Sequence, residues 1–162
     1  MKDILYSEWV PAGVFVKILV SLVSLLGLFI LLTLITTGFA FQNLFWVILP
    51  STLIAFLLLL FWNYRGIHIE VNDKRLLVSY GIFNCKSIPL EDIVSCEPTK
   101  ASFGRYGGVG IRYGWDSSWG YTAFFGEAVK IIRRKRRPFV FSSYNPKEIC
   151  NIINQAKEHP VR

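Results

Sequence analysis

Residues that commonly carry out catalysis or bind metals are scarce in this sequence. It has two histidines, His68 and His159, and neither belongs to a metal-binding spacing or a nucleophile motif. Its three cysteines, Cys85, Cys96 and Cys150, include no C-x-x-C pair. We therefore predict a protein that is not an enzyme and holds no metal or cofactor, and we interpret the cysteines as reduced, buried thiols.

Two further patterns that would indicate an enzyme are missing. Gly108, Gly110 and Gly114 do not have the spacing of a dinucleotide-binding loop, and no helix pattern follows them. Glu91 and Asp92 are adjacent, and neighbours along an extended strand point to opposite faces, so they do not form a catalytic pair of carboxylates.

Charge is almost absent between Val14 and Trp62. Residues 14–37 contain one charged residue, Lys17, and residues 44–62 contain none. About 20 apolar residues at about 1.5 Å each cross a hydrocarbon layer of about 30 Å. A secretory signal is disfavoured because a second run follows at once, and a buried helical hairpin because both runs are apolar on every side. We predict transmembrane helices at 14–37 and 44–62, joined by a short non-cytoplasmic loop at 38–43.

Basic residues flank these two runs and are missing from the loop between them. Lys2 and Lys17 lie around the first run, and Arg65, Lys74 and Arg75 follow the second. The positive-inside rule then predicts a multi-pass protein of the inner (plasma) membrane with both termini in the cytoplasm.

The first 13 residues mix charged side chains with Trp9 and end in Pro11-Ala12-Gly13. This composition predicts a short interfacial segment, such as one turn of helix lying on the membrane surface.

Hydrophobic residues alternate with polar ones from residue 63 onward, which predicts a cytoplasmic β-rich domain over 63–162. Phe125-Gly126-Glu127 is typical of a hairpin turn. The predicted strands form a strongly bent antiparallel sheet or partly open barrel. They lie at about 67–71, 76–80, 84–88, 92–97, 109–113, 121–125, 128–133 and 138–143.

One helix is predicted at about 146–157. Asn145 is a good N-cap, Pro146 suits the first helical position, and Glu148 has the spacing of a capping box. The helix has one apolar stripe, which must be buried on the strands. The stripe consists of Ile149, Ile152, Ile153 and Ala156.

Three parts of this domain resemble a known family. They are LLVSYG (76–81) leading to SIPLEDI (87–93), GVGIR (108–112), and GEAVKI (126–131) with SSYNPKEI (142–149). With two apolar runs in front, they resemble bacterial small membrane proteins that carry a pleckstrin-homology-like (PH-like) domain. The resemblance implies an α+β fold and a membrane anchor, and it brings no catalytic residues. The chain departs from the pattern at residues 133–137, where relatives tend to have a glycine-containing turn.

The net charge of +7 belongs to the domain, because Lys2 and Lys17 balance Asp3 and Glu8 in the first 62 residues. This positive charge either attracts anionic lipid headgroups or simply enforces the topology. The most concentrated basic charge is a run of five consecutive residues: Arg133, Arg134, Lys135, Arg136 and Arg137.

The basic run has several interpretations. It is a candidate contact for anionic lipid headgroups or an acidic partner, whereas nucleic acid is not expected as a partner. Alternatively, it is a solvated hairpin whose charges discourage edge pairing. Alternation of strand direction from the membrane places this turn on the far side of the domain.

A second candidate site combines aromatic residues, glycines and arginines between residues 103 and 121. Exposed aromatics beside glycines can form a lip around an anionic ligand. Alternatively, the aromatics cover the core. The candidate residues of this lip are Arg105, Tyr106, Arg112, Trp115 and Trp119.

These features lead to two hypotheses. The first is a non-enzymatic PH-like module, anchored in the lipid bilayer, that docks a membrane-protein partner or assembles as a homo-oligomer at the cytoplasmic face. The second is a sensor that binds anionic phospholipid through its basic hairpin.

Overall fold

The computed structural model describes residues 4–38 and 45–158 and divides into two units. One unit is residues 14–63. The other is a domain formed by the residues before Val14 together with those from Tyr64 onward. The chain therefore leaves the domain at Gly13 and returns to it at Tyr64.

The first unit contains two helices, α1 (Val14–Thr36) and α2 (Phe45–Asn63). Both are long and apolar enough to cross a membrane, and the apolar window of each is unburied. Their surfaces are apolar on all sides, which is typical of helices surrounded by lipid. Of the predicted loop at 38–43, only Gly38 lies among the described residues.

The first sheet of the domain is antiparallel and has four strands in the order β1-β2-β3-β4. Hydrogen-bonded register places Pro11 opposite Gly66 and Ile67 opposite Tyr80. The end of β1, the start of β2 and the end of β3 therefore lie at one end of this sheet. The strands are β1 (Ile4–Pro11), β2 (Gly66–Asn72), β3 (Arg75–Tyr80) and β4 (Asn84–Pro89).

Strand β1 corrects the prediction for the first 13 residues. They were expected to form an interfacial segment, but Ile4–Pro11 pairs along the whole of β2. The sequence signal is weak because Val10 is the only fully buried residue of the strand, so no strong alternation is visible. Backbone pairing with the edge of β2 determines the structure here.

The second sheet has five strands in the order β5-β8-β9-β7-β6. A 3-10 turn at Leu90–Asp92 leads into it, and a short helix, α3 (Phe103–Tyr106), follows its first strand. Its strands are β5 (Ile93–Ala101), β6 (Gly110–Tyr113), β7 (Trp119–Thr122), β8 (Gly126–Arg133) and β9 (Phe139–Ser142).

This order corrects two expectations about the strands. β7 begins at Trp119 and ends at Thr122, earlier than the predicted 121–125. It pairs with β9, in parallel, and not with β8. Phe125-Gly126-Glu127 is therefore not a hairpin turn, and the domain is two sheets with one parallel pair instead of a single antiparallel sheet.

Helix α4 (Pro146–Glu158) closes the domain and begins at the proline where the sequence predicts a helix start. Ile149 and Ile153 are fully buried, and Ile152 and Ala156 pack at the edge of the same core. That core also includes Ile69 from the first sheet and Phe141 from the second. The α+β class is confirmed, with both sheets and α4 sharing one core.

The cysteines differ from the prediction of three reduced, buried thiols. Cys96 on β5 and Cys150 on α4 form a disulfide, with their Cα atoms 5.2 Å apart, and Cys85 is free and exposed. Cys150 is buried on the side of α4 that packs against β5. A separation of 54 residues gives no sign of this pairing in the sequence.

Candidate functional site

The basic run forms the turn between β8 and β9, which pair antiparallel up to Ile131 and Phe139. Arg133 is half-buried, and residues 134–137 are exposed. The Arg133 guanidinium donates two hydrogen bonds to the Arg137 carbonyl, at 2.9 Å from Nε and 2.5 Å from a terminal nitrogen. Arg133 thus closes the turn, and the cations that follow it are presented to solvent.

A lysine from the other sheet joins this turn. The Nζ atom of Lys86, on β4, lies 4.5 Å from the centre of the Phe139 ring. Burial and the nearby charges of Arg133 and Arg136 lower the pKa of Lys86. Burial and Arg136 likewise lower the pKa of Arg133, against an opposing effect of Asp92. Like charges therefore repel one another here, and an anion would relieve that repulsion.

The aromatic hairpin of β6 and β7 lies directly beside the basic turn. The Trp119 N–H donates a hydrogen bond of 3.0 Å to the Pro138 carbonyl. Tyr113 and Trp119 pair across the two strands with their rings edge to face, 5.7 Å apart. Arg137 donates a hydrogen bond of 2.9 Å to the Tyr113 hydroxyl and lies 5.2 Å from the centre of its ring.

The two sites proposed from sequence thus meet in one place. We call this the basic–aromatic surface. Trp115 projects from the tip of the β6–β7 hairpin next to it and is 89% exposed. The surface consists of Lys86, Tyr113, Trp119, Arg133, Arg136 and Arg137.

Tyr106 does not offer a surface to a ligand, which corrects its predicted place in the lip. Its side chain is buried, and its hydroxyl lies 2.8 Å from the Ser118 Oγ. The Ser118 hydroxyl donates its own hydrogen to Asp116 at 2.6 Å, so Tyr106 is the donor to Ser118. Tyr106 therefore stabilises the β6–β7 hairpin through this buried hydrogen bond.

Arg105 and Arg112 also differ from the predicted lip. Arg105 forms an ion pair of 3.5 Å with Asp116, and Arg112 donates to the Val109 carbonyl at 3.4 Å. Burial raises the pKa of Asp116, but the hydrogen bonds from Ser118 and the charge of Arg105 outweigh it and lower that pKa. Arg112 follows the alternation of β6 and points to the face opposite Tyr113. Both arginines therefore lie outside the basic–aromatic surface.

Strand β8 separates the basic–aromatic surface from the residues at which α1 and α2 join the domain. The Gly13 N–H donates a hydrogen bond of 2.8 Å to the Ala123 carbonyl, three residues before β8 begins. The Ala12 N–H donates one of 2.7 Å to the Arg65 carbonyl. The two chain crossings, where the chain leaves the domain and where it returns, therefore lie together. We call this the attachment end. β8 then extends for 8 residues, about 23 Å, to Arg133 at the other end.

Carboxylates do not neutralise this surface by direct pairing. The ion pairs within 4.0 Å among the described side chains of residues 4–38 and 45–157 are His68 with Glu70 and Arg105 with Asp116. Neither involves the basic turn or Lys86. The surface is therefore available to an external anion.

A groove of about 450 Å³ lies at the start of α4. It contains Lys100 and Lys147 but also Glu127 and Glu148, so its charges balance. It favours an anionic ligand less than the basic–aromatic surface does.

Sequence reasoning missed Lys86 and did not connect the two candidate sites. Lys86 is 47 residues from Arg133, and only the packing of β4 against the second sheet brings them together. In the described ranges, no group of three or more His, Cys, Asp and Glu side chains is placed to hold a metal ion. Comparisons with protein-family models, curated proteins and solved structures found no match to this chain.

Proposed function

We propose that this protein is a membrane-anchored, non-enzymatic module that docks an acidic protein partner at the cytoplasmic face. The observation that carries this proposal is the position of the basic–aromatic surface, at the end of β8 opposite the attachment end. The two sheets and the single C-terminal helix also support a PH-like domain of bacterial type.

Membrane insertion is supported by the surfaces of α1 and α2. Large apolar side chains such as Leu22, Phe29 and Leu59 are each more than half exposed. Contiguous apolar surface of this extent is far larger than soluble proteins expose. A lipid bilayer removes this surface from water.

The side of the membrane follows from the charges near the spans. Lys17, Arg65 and Arg75 favour the cytoplasm, and the segment between the spans has no basic residue. The Cys96–Cys150 disulfide points the other way, because such bonds persist in oxidising compartments. We give priority to the charges because they act while the chain inserts, whereas two adjacent thiols can oxidise afterwards.

A protein partner is favoured over lipid of the same membrane. Attraction to headgroups decays within a Debye length, about 8 Å at physiological ionic strength. The basic turn is about 23 Å along β8 from the attachment end. Its exposed arginines and aromatic rings are the residue types enriched where proteins bind one another.

The test compares two charge-reversal variants of equal net charge. The full chain in nanodiscs is crosslinked in membrane extract, and captured proteins are identified by mass spectrometry. Arg134→Glu with Arg136→Glu alters the basic turn, whereas Lys147→Glu with Lys157→Glu alters exposed positions on α4. We expect an acidic partner with wild type and with the α4 variant, and its loss with the basic-turn variant.

Other outcomes separate the alternatives. Equal capture by both variants would refute a role for the basic turn. Vesicles rich in anionic phospholipid, added to the nanodiscs, provide the lipid arm. Binding of these vesicles through the basic turn, without a protein partner, would favour the lipid sensor, and capture of further copies of the chain would favour a homo-oligomer.

A further inference from the structure

Four large apolar side chains at the attachment end of the domain are open to solvent. Their exposed fractions are 66% for Ile82, 82% for Phe83, 66% for Phe103 and 43% for Phe125. We call these four residues the apolar rim. They lie on three different segments of the chain.

The β3–β4 turn brings Ile82 and Phe83 to this end. Tyr80, the last residue of β3, pairs with Ile67, which follows the first residue of β2. Asn84 begins β4 opposite Tyr80, so residues 81–83 extend beyond the end of the sheet. They project past the end at which the chain leaves β1 and enters β2.

The second sheet brings Phe125 and Phe103 to the same end. Phe125 lies in the β7–β8 connection, whose Ala123 carbonyl accepts the Gly13 N–H. The Phe103 and Phe125 rings pack edge to face, 5.9 Å apart. The Tyr80 hydroxyl donates a hydrogen bond of 3.4 Å to the Thr122 carbonyl, which connects the two rim-bearing regions.

The residues around the chain crossings have the chemistry of a membrane interface. Trp9 is about half exposed, and the Arg65 guanidinium lies 5.8 Å from its ring centre. Tryptophan and arginine together are favoured at headgroup depth, where the ring is half in the apolar layer and the cation remains hydrated.

We propose that the apolar rim inserts into the headgroup–acyl boundary of the leaflet at which α1 begins and α2 ends. This inference rests on the membrane insertion proposed above. Val14 directly follows Gly13, whose N–H is hydrogen-bonded to the Ala123 carbonyl, two residues before Phe125. The chain returns to the domain beside this point, because the Arg65 carbonyl is hydrogen-bonded to the Ala12 N–H. Insertion into the lipid interface would remove these apolar side chains from water.

The experiment places an environment-sensitive fluorophore at the rim of the full chain in liposomes. Phe83→Cys is made in a Cys85→Ser background and labelled with a nitrobenzoxadiazole probe. The matched control is Arg134→Cys in the same background, since Arg134 is exposed and lies in the basic turn at the other end of β8. The Cys85→Ser chain alone reports any labelling of Cys96 or Cys150.

We expect emission at shorter wavelength for the label at position 83, and several-fold stronger quenching by lipids with doxyl groups on their acyl chains, than at position 134. Equal, water-like emission at both positions would overturn the inference. A shift to shorter wavelength without doxyl quenching would also overturn it, because the label would then lie against protein.

Extraction with alkaline carbonate distinguishes this inference from the proposed function. Release of the chain into the supernatant would refute membrane insertion and the rim inference together. Retention of the chain in the membrane, with a water-like label at position 83, would refute the rim inference alone.

Discussion

Glu8 in β1 accepts a hydrogen bond of 2.7 Å from the hydroxyl of Ser143, which lies 135 residues later in the chain. The other carboxylate oxygen accepts the Tyr144 N–H at 2.8 Å. The Ser143 hydroxyl in turn accepts the Asn145 N–H at 3.0 Å. These hydrogen bonds therefore join β1 to the segment that directly precedes α4, although the two are far apart in the sequence.

This relationship predicts that Glu8→Ala destabilises the domain. Three charge-assisted hydrogen bonds, including one of 3.2 Å from the Tyr6 hydroxyl, are lost at a half-buried site, which lowers the free energy of unfolding by about 2 kcal/mol. Denaturant unfolding of the chain in detergent micelles, followed by circular dichroism, measures the change. Glu91→Ala at an exposed position is the control and should change it little. If both variants unfold alike, the Glu8 contacts contribute nothing to stability.

The aromatic hairpin predicts a steric effect at Gly120. A Cβ atom there would lie 2.6 Å from the Tyr106 ring, which is buried and cannot move aside easily. Gly120→Ala should therefore lower the free energy of unfolding by about 2 kcal/mol. Gly104→Ala is the matched control, because nothing lies within 4 Å of its Cβ position in α3. A neutral Gly120→Ala, measured by the same unfolding assay, would contradict this packing.

The parts of the fold that sequence predicted well depend on local patterns. Alternation in β2 and the proline at the start of α4 are signals contained within a few residues. The two apolar helices are likewise visible from composition alone.

The parts that sequence missed depend on distant contacts. β1 is a strand because β2 offers a free edge. β9 lies between β7 and β8 and is antiparallel to β8, which runs opposite to β7, so the β7–β9 pair is parallel. The basic turn was visible as a run of cations. Its neighbours Lys86 and Tyr113 come from other strands, so the sequence alone could not show that these residues form one surface.

The Cys96–Cys150 disulfide predicts a dependence of stability on reductant. Closing a loop of 54 residues reduces the entropy of the unfolded chain and stabilises the fold by about 4 kcal/mol in the chain-entropy description. Adding a phosphine reductant should lower the unfolding midpoint of the wild type. Cys85→Ser should respond in the same way, since Cys85 is free. A midpoint unaffected by reductant would contradict a contribution of the disulfide.

Topology is tested by reporters fused to the C-terminus in bacterial cells. The charges around the spans predict a fluorescent green-fluorescent-protein fusion and an inactive alkaline phosphatase fusion. The reverse pattern would place the domain outside the cytoplasm. It would also account for the disulfide, because the domain would then fold in an oxidising compartment.

Lys86 gives the basic–aromatic surface a pH-dependent stability. Burial, Arg133 and Arg136 hold its pKa below the usual 10.5, so the folded state disfavours the charged form. Between the lowered pKa and 10.5 the unfolded chain binds more protons than the folded one, so this group makes the protein more stable as pH rises. Below that window the charged lysine opposes folding throughout.

Lys86→Met removes this charge and keeps an apolar stem against Phe139. We expect the variant to be more stable than wild type at pH 7, with the difference shrinking as the pH approaches 10.5, because wild-type Lys86 loses its proton.

Sulfate provides a second test of this repulsion. At constant ionic strength it should raise the unfolding midpoint of the wild type more than that of Lys86→Met, because the anion offsets the repulsion among Lys86, Arg133 and Arg136. A variant that is less stable at every pH and equally responsive to sulfate would show that the contact between Lys86 and Phe139 outweighs the repulsion.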